Sequence, residues 1–142
     1  MNHVHGSIIR IGAKMLIPYI LLLALYVQFH GDYGPGGGFQ AGVIFAAGFI
    51  LYALTHGLRA TQKVVPFWVA EKLICFGVLL YAGVGVVSML MGGNFLEYAV
   101  FDHHHPSHGQ HTGLLVIELG VGITVFSVML IIFYNFAGRG RS

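Results

Sequence analysis

Three groups of residues in this 142-residue chain have the types and spacing to do chemistry. The first is Glu118, the one acidic residue in an apolar run of about 112–137. An ionised acid inside hydrocarbon costs about 2.5–3.5 kcal/mol on insertion scales, so it must face protein or water. Such a carboxylate can relay protons or hold a cation, and it can equally sit protonated and hydrogen-bonded between helices. Both readings stand. Glu118 shares a helical face with Gly122, Val125 and Met129, and Gly122 would let a neighbouring helix or a hydrated ion come close. The second group is His30 and Asp32, followed by Gly34, Pro35, Gly36, Gly37, Gly38, Phe39 and Gln40, with Gly42 one turn later. Gly-Pro-Gly forces a tight reversal, and the glycine run permits dihedrals closed to other residues. Backbone carbonyls freed there could coordinate a cation, or the run could be a compact hairpin leading into a helix N-terminus. The third group is a histidine-dense stretch with His103, His104, His105, His108 and His111, and with Asp102 beside it. Neutral imidazoles at these spacings suit zinc or copper, but Pro106 and Gly109 work against a fixed geometry and no cysteine helps. The stretch could instead collect protons, because imidazole titrates near neutrality.

These groups are positioned by four long apolar runs, at about 8–29, 38–58, 69–91 and 112–137. About 20 apolar residues at 1.5 Å each cross roughly 30 Å of hydrocarbon, so each run is a candidate transmembrane helix. If the last helix starts near Thr112, Glu118 lies about 9 Å inside its end. Pro18 removes a backbone donor within the first run, and Pro66-Phe67-Trp68 brings aromatic rings to the edge of the third. Gly38, Gly42 and Ala46 recur every four residues in the second, the small-residue pattern that lets helices approach closely in lipid. His56, Glu71, Lys72 and Glu97 stand at run ends, where water or a local partner satisfies them.

Composition agrees with a chain that lives in lipid. Charged residues are 8% of the total and apolar residues 56%, against roughly 25% and 45–50% in soluble domains. All seven Lys and Arg fall on one side of the expected membrane: Arg10 and Lys14 at or just inside the start of the first run, Arg59 and Lys63 between the second and third with Lys72 at the start of the third, Arg139 and Arg141 after the fourth. Basic residues stay cytoplasmic, so both termini are expected there. The expected fold is an all-α integral membrane protein with four transmembrane helices in a single domain spanning 1–142. The dispersed basic residues, with a net charge of +2, carry no nucleic-acid signal. Cys75 is the one cysteine, so no internal disulfide forms. No nucleophile–base pair, cofactor motif or inverted repeat is visible, which argues against an enzyme and against a transporter complete in itself.

The chain resembles the MnhB/MrpB family, small components of multi-subunit Na⁺/H⁺ antiporters. The resemblance is carried by the turn Gly34-Pro35-Gly36-Gly37-Gly38-Phe39-Gln40 with Gly42 after it. Gly92-Gly93-Asn94-Phe95-Leu96 after the third run and Glu118-Leu119-Gly120-Val121 in the fourth support it. The family more often has Asp where this chain has Glu118, and its pattern lacks the histidine stretch. The resemblance implies a multi-pass subunit of the cell membrane that works beside other antiporter subunits, binds no cofactor, and belongs to an assembly moving Na⁺ and H⁺. The ion-path or proton-relay candidates are then Glu118, Asp32 and His30, with Gly122 and the turn residues serving helix packing. Two alternatives remain: the same kind of subunit in a redox-driven pump of the membrane-bound hydrogenase type, and a metal-handling membrane protein that uses the histidine stretch.

Overall fold

The computed structural model describes residues 3–30, 36–95, 97, 104 and 106–139. These form five helices: α1 (His3–His30), α2 (Gly38–His56), α3 (Leu58–Val64), α4 (Phe67–Leu90) and α5 (Pro106–Gly138). Four of them, excepting the seven-residue α3, are long and apolar enough to cross a membrane. The helices overrun the expected runs at two places. α1 starts at His3 rather than near residue 8, and α5 starts at Pro106 rather than near Thr112. A helix satisfies its own backbone hydrogen bonds, so it continues past the apolar stretch until a residue stops it. The linker after α2 holds a further short helix, separated from α2 by Gly57.

α5 is the centre of the bundle. It packs against α4 on one side and α2 on the other, while α1 lies mainly on α2. The core is small: Ala46, Val65, Ala70, Phe126, Leu130 and Tyr134. Phe45, Phe49 and Phe126 form an aromatic cluster, with Phe45 edge-on to Phe126 at 5.0 Å between ring centroids. Large side chains of α1 and α4 such as Leu22, Tyr19, Leu79 and Leu90 point outward, as a lipid solvent permits.

Glycine sets the interhelical distances. A Cβ at Gly38 would collide with the backbone carbonyl of Glu118 and lie 2.8 Å from its carbon. One at Gly42 would fall 2.7 Å from the Gly122 carbonyl, and one at Gly77 would meet the Thr124 hydroxyl and the Gly120 carbonyl. The hydroxyls along these seams turn back onto their own helix: Thr124 Oγ1 donates to Gly120 O at 2.9 Å and Ser127 Oγ to Ile123 O at 2.8 Å. The apolar seams therefore keep no unmatched hydroxyl there.

The two ends of the bundle differ. At the basic end, Arg10 Nε donates to Thr55 O at 3.0 Å, Tyr134 Oη to Val65 O at 2.9 Å, and Lys72 lies over the Trp68 ring. The first joins the start of α1 to the end of α2, the second joins the end of α5 to the residue pair leading into α4, and the third lies within α4. At the opposite end Gly92 stops α4 with φ of +91°, a conformation L side chains rarely adopt. The chain then turns back so that Phe95 occupies the space beside Gly85.

Gly38→Ala should lower bundle stability by about 1–3 kcal/mol or more, because the opposing atoms are backbone and cannot move aside. Gly83→Ala, on α4 with open space around it, should stay within about 0.5 kcal/mol of the parent. Thermal unfolding of the detergent-solubilised protein distinguishes the two. Tyr134→Phe should cost about 1 kcal/mol in the same assay, since the Val65 carbonyl loses its donor.

Candidate functional site

The site is built where α2 begins. Gly36, with φ of +117°, and Gly37 lead into Gly38, the first residue of α2. Gln40 folds back over this start, and its Oε1 accepts a hydrogen bond from Gly37 N at 3.0 Å. The first internal bond here runs from Ala41 N to Gly37 O at 3.0 Å. The earlier N–H groups of α2 therefore lack intrahelical acceptors, as at any helix start.

Glu118 on α5 stands against this start. Its backbone touches Gly38, and its Oε1 lies 3.3 Å from where a Cβ would sit on Gly37. Because neither glycine has a side chain, the carboxyl group reaches the N-terminal end of α2. A helix N-terminus presents partial positive charge to such a group. Glu118 is half-buried.

α2 has 19 residues, or about 28 Å, close to the roughly 30 Å hydrocarbon thickness. Glu118 stands beside its first residue. α5 begins at Pro106 rather than near Thr112, so Glu118 lies twelve residues, about 18 Å, along its helix.

One residue without a strong sequence signal belongs here. Gln28, on α1, is 5% exposed. Its Oε1 lies 2.7 Å from the Cβ position of Gly122, and the Gly38 carbonyl is 3.2 Å from that same position. Gln28 thus reaches the α2–α5 seam one turn along from Glu118. The only sequence signal for it is an amide one residue before the end of an apolar run.

The other sequence candidates fall differently. His30 ends α1, exposed, and stacks on Tyr26 at 4.6 Å between centroids. Phe39 and Gln40 are exposed on the first turn of α2, while Gly42 and Gly122 are buried in the seam between α2 and α5. Asp32, Gly34, Pro35, His103 and His105 lie outside the described residues, as does the side chain of His108. His104 and His111 are exposed. Among the described residues no group of three or more His, Cys, Asp or Glu side chains is placed to hold a metal ion.

The geometry offers one carboxylate at a helix start, held between two glycine-paired helices, with a buried amide beneath it. Such an arrangement can bind and release a proton or hold a cation.

Comparison with known proteins covers most of the chain. Residues 8–131 match a family model described as a domain related to the MnhB subunit of Na⁺/H⁺ antiporter. A Staphylococcus haemolyticus protein named as an antiporter subunit mnhB2 is 31% identical over 137 residues, covering 95% of this chain and 96% of its own length. A protein of Alkalihalophilus pseudofirmus named as a B-type Na⁺/H⁺ antiporter subunit is 31% identical over 120 residues, 83% of each chain. An mnhB2 protein of Staphylococcus aureus strain Newman is 29% identical over 137 residues. With the family match running from α1 into α5 and through both the glycine start of α2 and Glu118, this chain belongs to the MnhB family.

Proposed function

We propose that this chain is the MnhB-type subunit of a multi-subunit Na⁺/H⁺ antiporter, a multi-pass protein of the cell membrane that completes the assembly without catalysing a reaction itself. The observation that carries the reading is the family match over residues 8–131, together with relatives of nearly the same length named as antiporter subunits. The transported ions are Na⁺ and H⁺, and the partners are the other membrane subunits of the complex. The basic end of the bundle faces the cytoplasm, because Lys and Arg resist translocation. Glu118 then lies at the outer boundary of the hydrocarbon, where it exchanges a proton or a cation with the outside or with a neighbouring subunit.

Three properties support a supporting role over an independent transporter. Among the described residues one acid, Glu118, is packed between the long apolar helices, and a single acid cannot provide alternating access, which needs a site that opens to each side in turn. The glycine seams are used up within the chain, holding α2 and α4 on α5. The outward faces of α1 and α4 are apolar, which suits lipid or a neighbouring subunit.

In the complete antiporter assembled in vesicles, Glu118→Gln should reduce Na⁺-driven proton movement at least ten-fold while the complex still assembles. Unchanged antiport would make the carboxylate structural. Purification of the tagged chain in mild detergent should bring several polytopic subunits with it; hydrogenase-type soluble subunits would point to a redox-driven pump instead. A cysteine placed at Ser107 should react with an impermeant thiol reagent added outside intact cells, and labelling only from the cytoplasm would reverse the orientation.

A further inference from the structure

α1 and α5 both lie on α2 and meet each other at few residues. Between them runs a cleft of about 150 Å³, floored by Ala41 and Phe45 and walled by Ala24, Leu25, Ile123 and Phe126. Its lining is apolar except at one place, the side chain of Gln28. The Nε2 of that buried amide has no hydrogen-bond acceptor among the described residues. A buried donor without an acceptor costs the full desolvation of the group, about 1–3 kcal/mol, so an amide held at this position signals a partner that supplies an oxygen.

Three constraints fix the nature of that partner. The cleft is apolar, and a water molecule needs two to four polar contacts, so the site does not suit a water cluster. It is narrow, because the Gln28 side chain reaches across to Gly122; a helix about 10 Å wide does not fit there. It also lies near the ends of two helices long and apolar enough to cross a membrane. Gln28 stands two residues from the end of α1 and beside the seam between Gly38 and Gly122, near the start of α2. At the ends of membrane-spanning helices a bilayer lipid carries its ester carbonyls, with the acyl chains below. Leu25 and Leu119, 46% and 39% exposed, form a rim open to the bilayer.

We infer that the cleft is a lipid-binding site: one acyl chain of a phospholipid lies between α1 and α5, and its ester carbonyl accepts the hydrogen bond from Gln28 Nε2. The lipid acts there as the missing wall between two helices that barely touch, next to the turn that carries Glu118. The inference does not depend on which ions the assembly moves.

The test uses the whole assembly isolated from native membranes and reconstituted in phosphatidylethanolamine–phosphatidylglycerol vesicles. The vesicles are doped with a phospholipid bearing a diazirine on its acyl chain near the ester. After irradiation, mass spectrometry should find label on the cleft residues Leu25, Leu119 and Ile123 well above that on Leu79 and Val87 of α4. Gln28→Met keeps the volume and removes the donor, and it should reduce cleft labelling about five-fold while α4 labelling stays constant. Should that variant fail to assemble, Leu25→Trp, a change at an exposed rim position, should block the mouth and give the same selective loss. Equal labelling of cleft and α4, cleft labelling indifferent to both substitutions, or cross-links from the cleft to another subunit in place of lipid would each overturn the site.

Discussion

Close backbone contact between α2 and α5 is the constraint on which the rest of this structure depends. In lipid there is no water to expel between helices, so association rests on van der Waals contact and on how near two backbones can come. Gly38 against Glu118 and Gly42 against Gly122 bring these two so close that a Cβ at Gly38 or Gly42 would meet backbone atoms of α5. The next residue in the row, Ala46, joins Phe126 and Leu130 in the core as the helices continue toward the basic end. A methyl group at the first contact would force the carbonyl of Glu118 away, and with it the carboxyl group. The same contact that holds the bundle therefore places the acid packed between its helices.

That arrangement explains why α5 is central. It uses two glycine faces: Gly122 meets α2, and Gly120 meets α4, where Gly77 answers it. Thr124 and Ser127 sit on the same helix and bond back to their own backbone, so close approach leaves no hydroxyl stranded. α1 has no such seam with α5 and rests on α2, reaching α5 through Gln28. The result is a bundle tight on one side and cleft on the other. The acid lies at the edge of the tight side, and the buried amide borders the cleft.

Several features were legible without coordinates. The four apolar runs, the Gly38–Gly42–Ala46 row and the isolation of Glu118 all follow from local composition and spacing. The helices α1 and α5 run past these apolar stretches, because a helix does not end where its hydrophobicity ends. Sequence alone did not show that Glu118 stands against the start of α2, since that depends on how the two helices pack. Gln28 did not stand out, because an amide near the end of an apolar run looks like an ordinary interfacial residue. Only its burial and its unmatched nitrogen give it meaning.

The amino-acid sequence by itself determined that the chain enters lipid four times, that its basic residues gather at one end, and that it belongs with the MnhB proteins. Those properties depend on transfer energies and short-range patterns, which each segment carries alone. Only the tertiary structure decided which glycine meets which backbone, where the carboxyl group of Glu118 comes to rest, and that Gln28 borders an apolar cleft. The helices are apolar on nearly every side, so no amphipathic stripe announces their partners. Their register is fixed by the fit of small residues across distant parts of the chain.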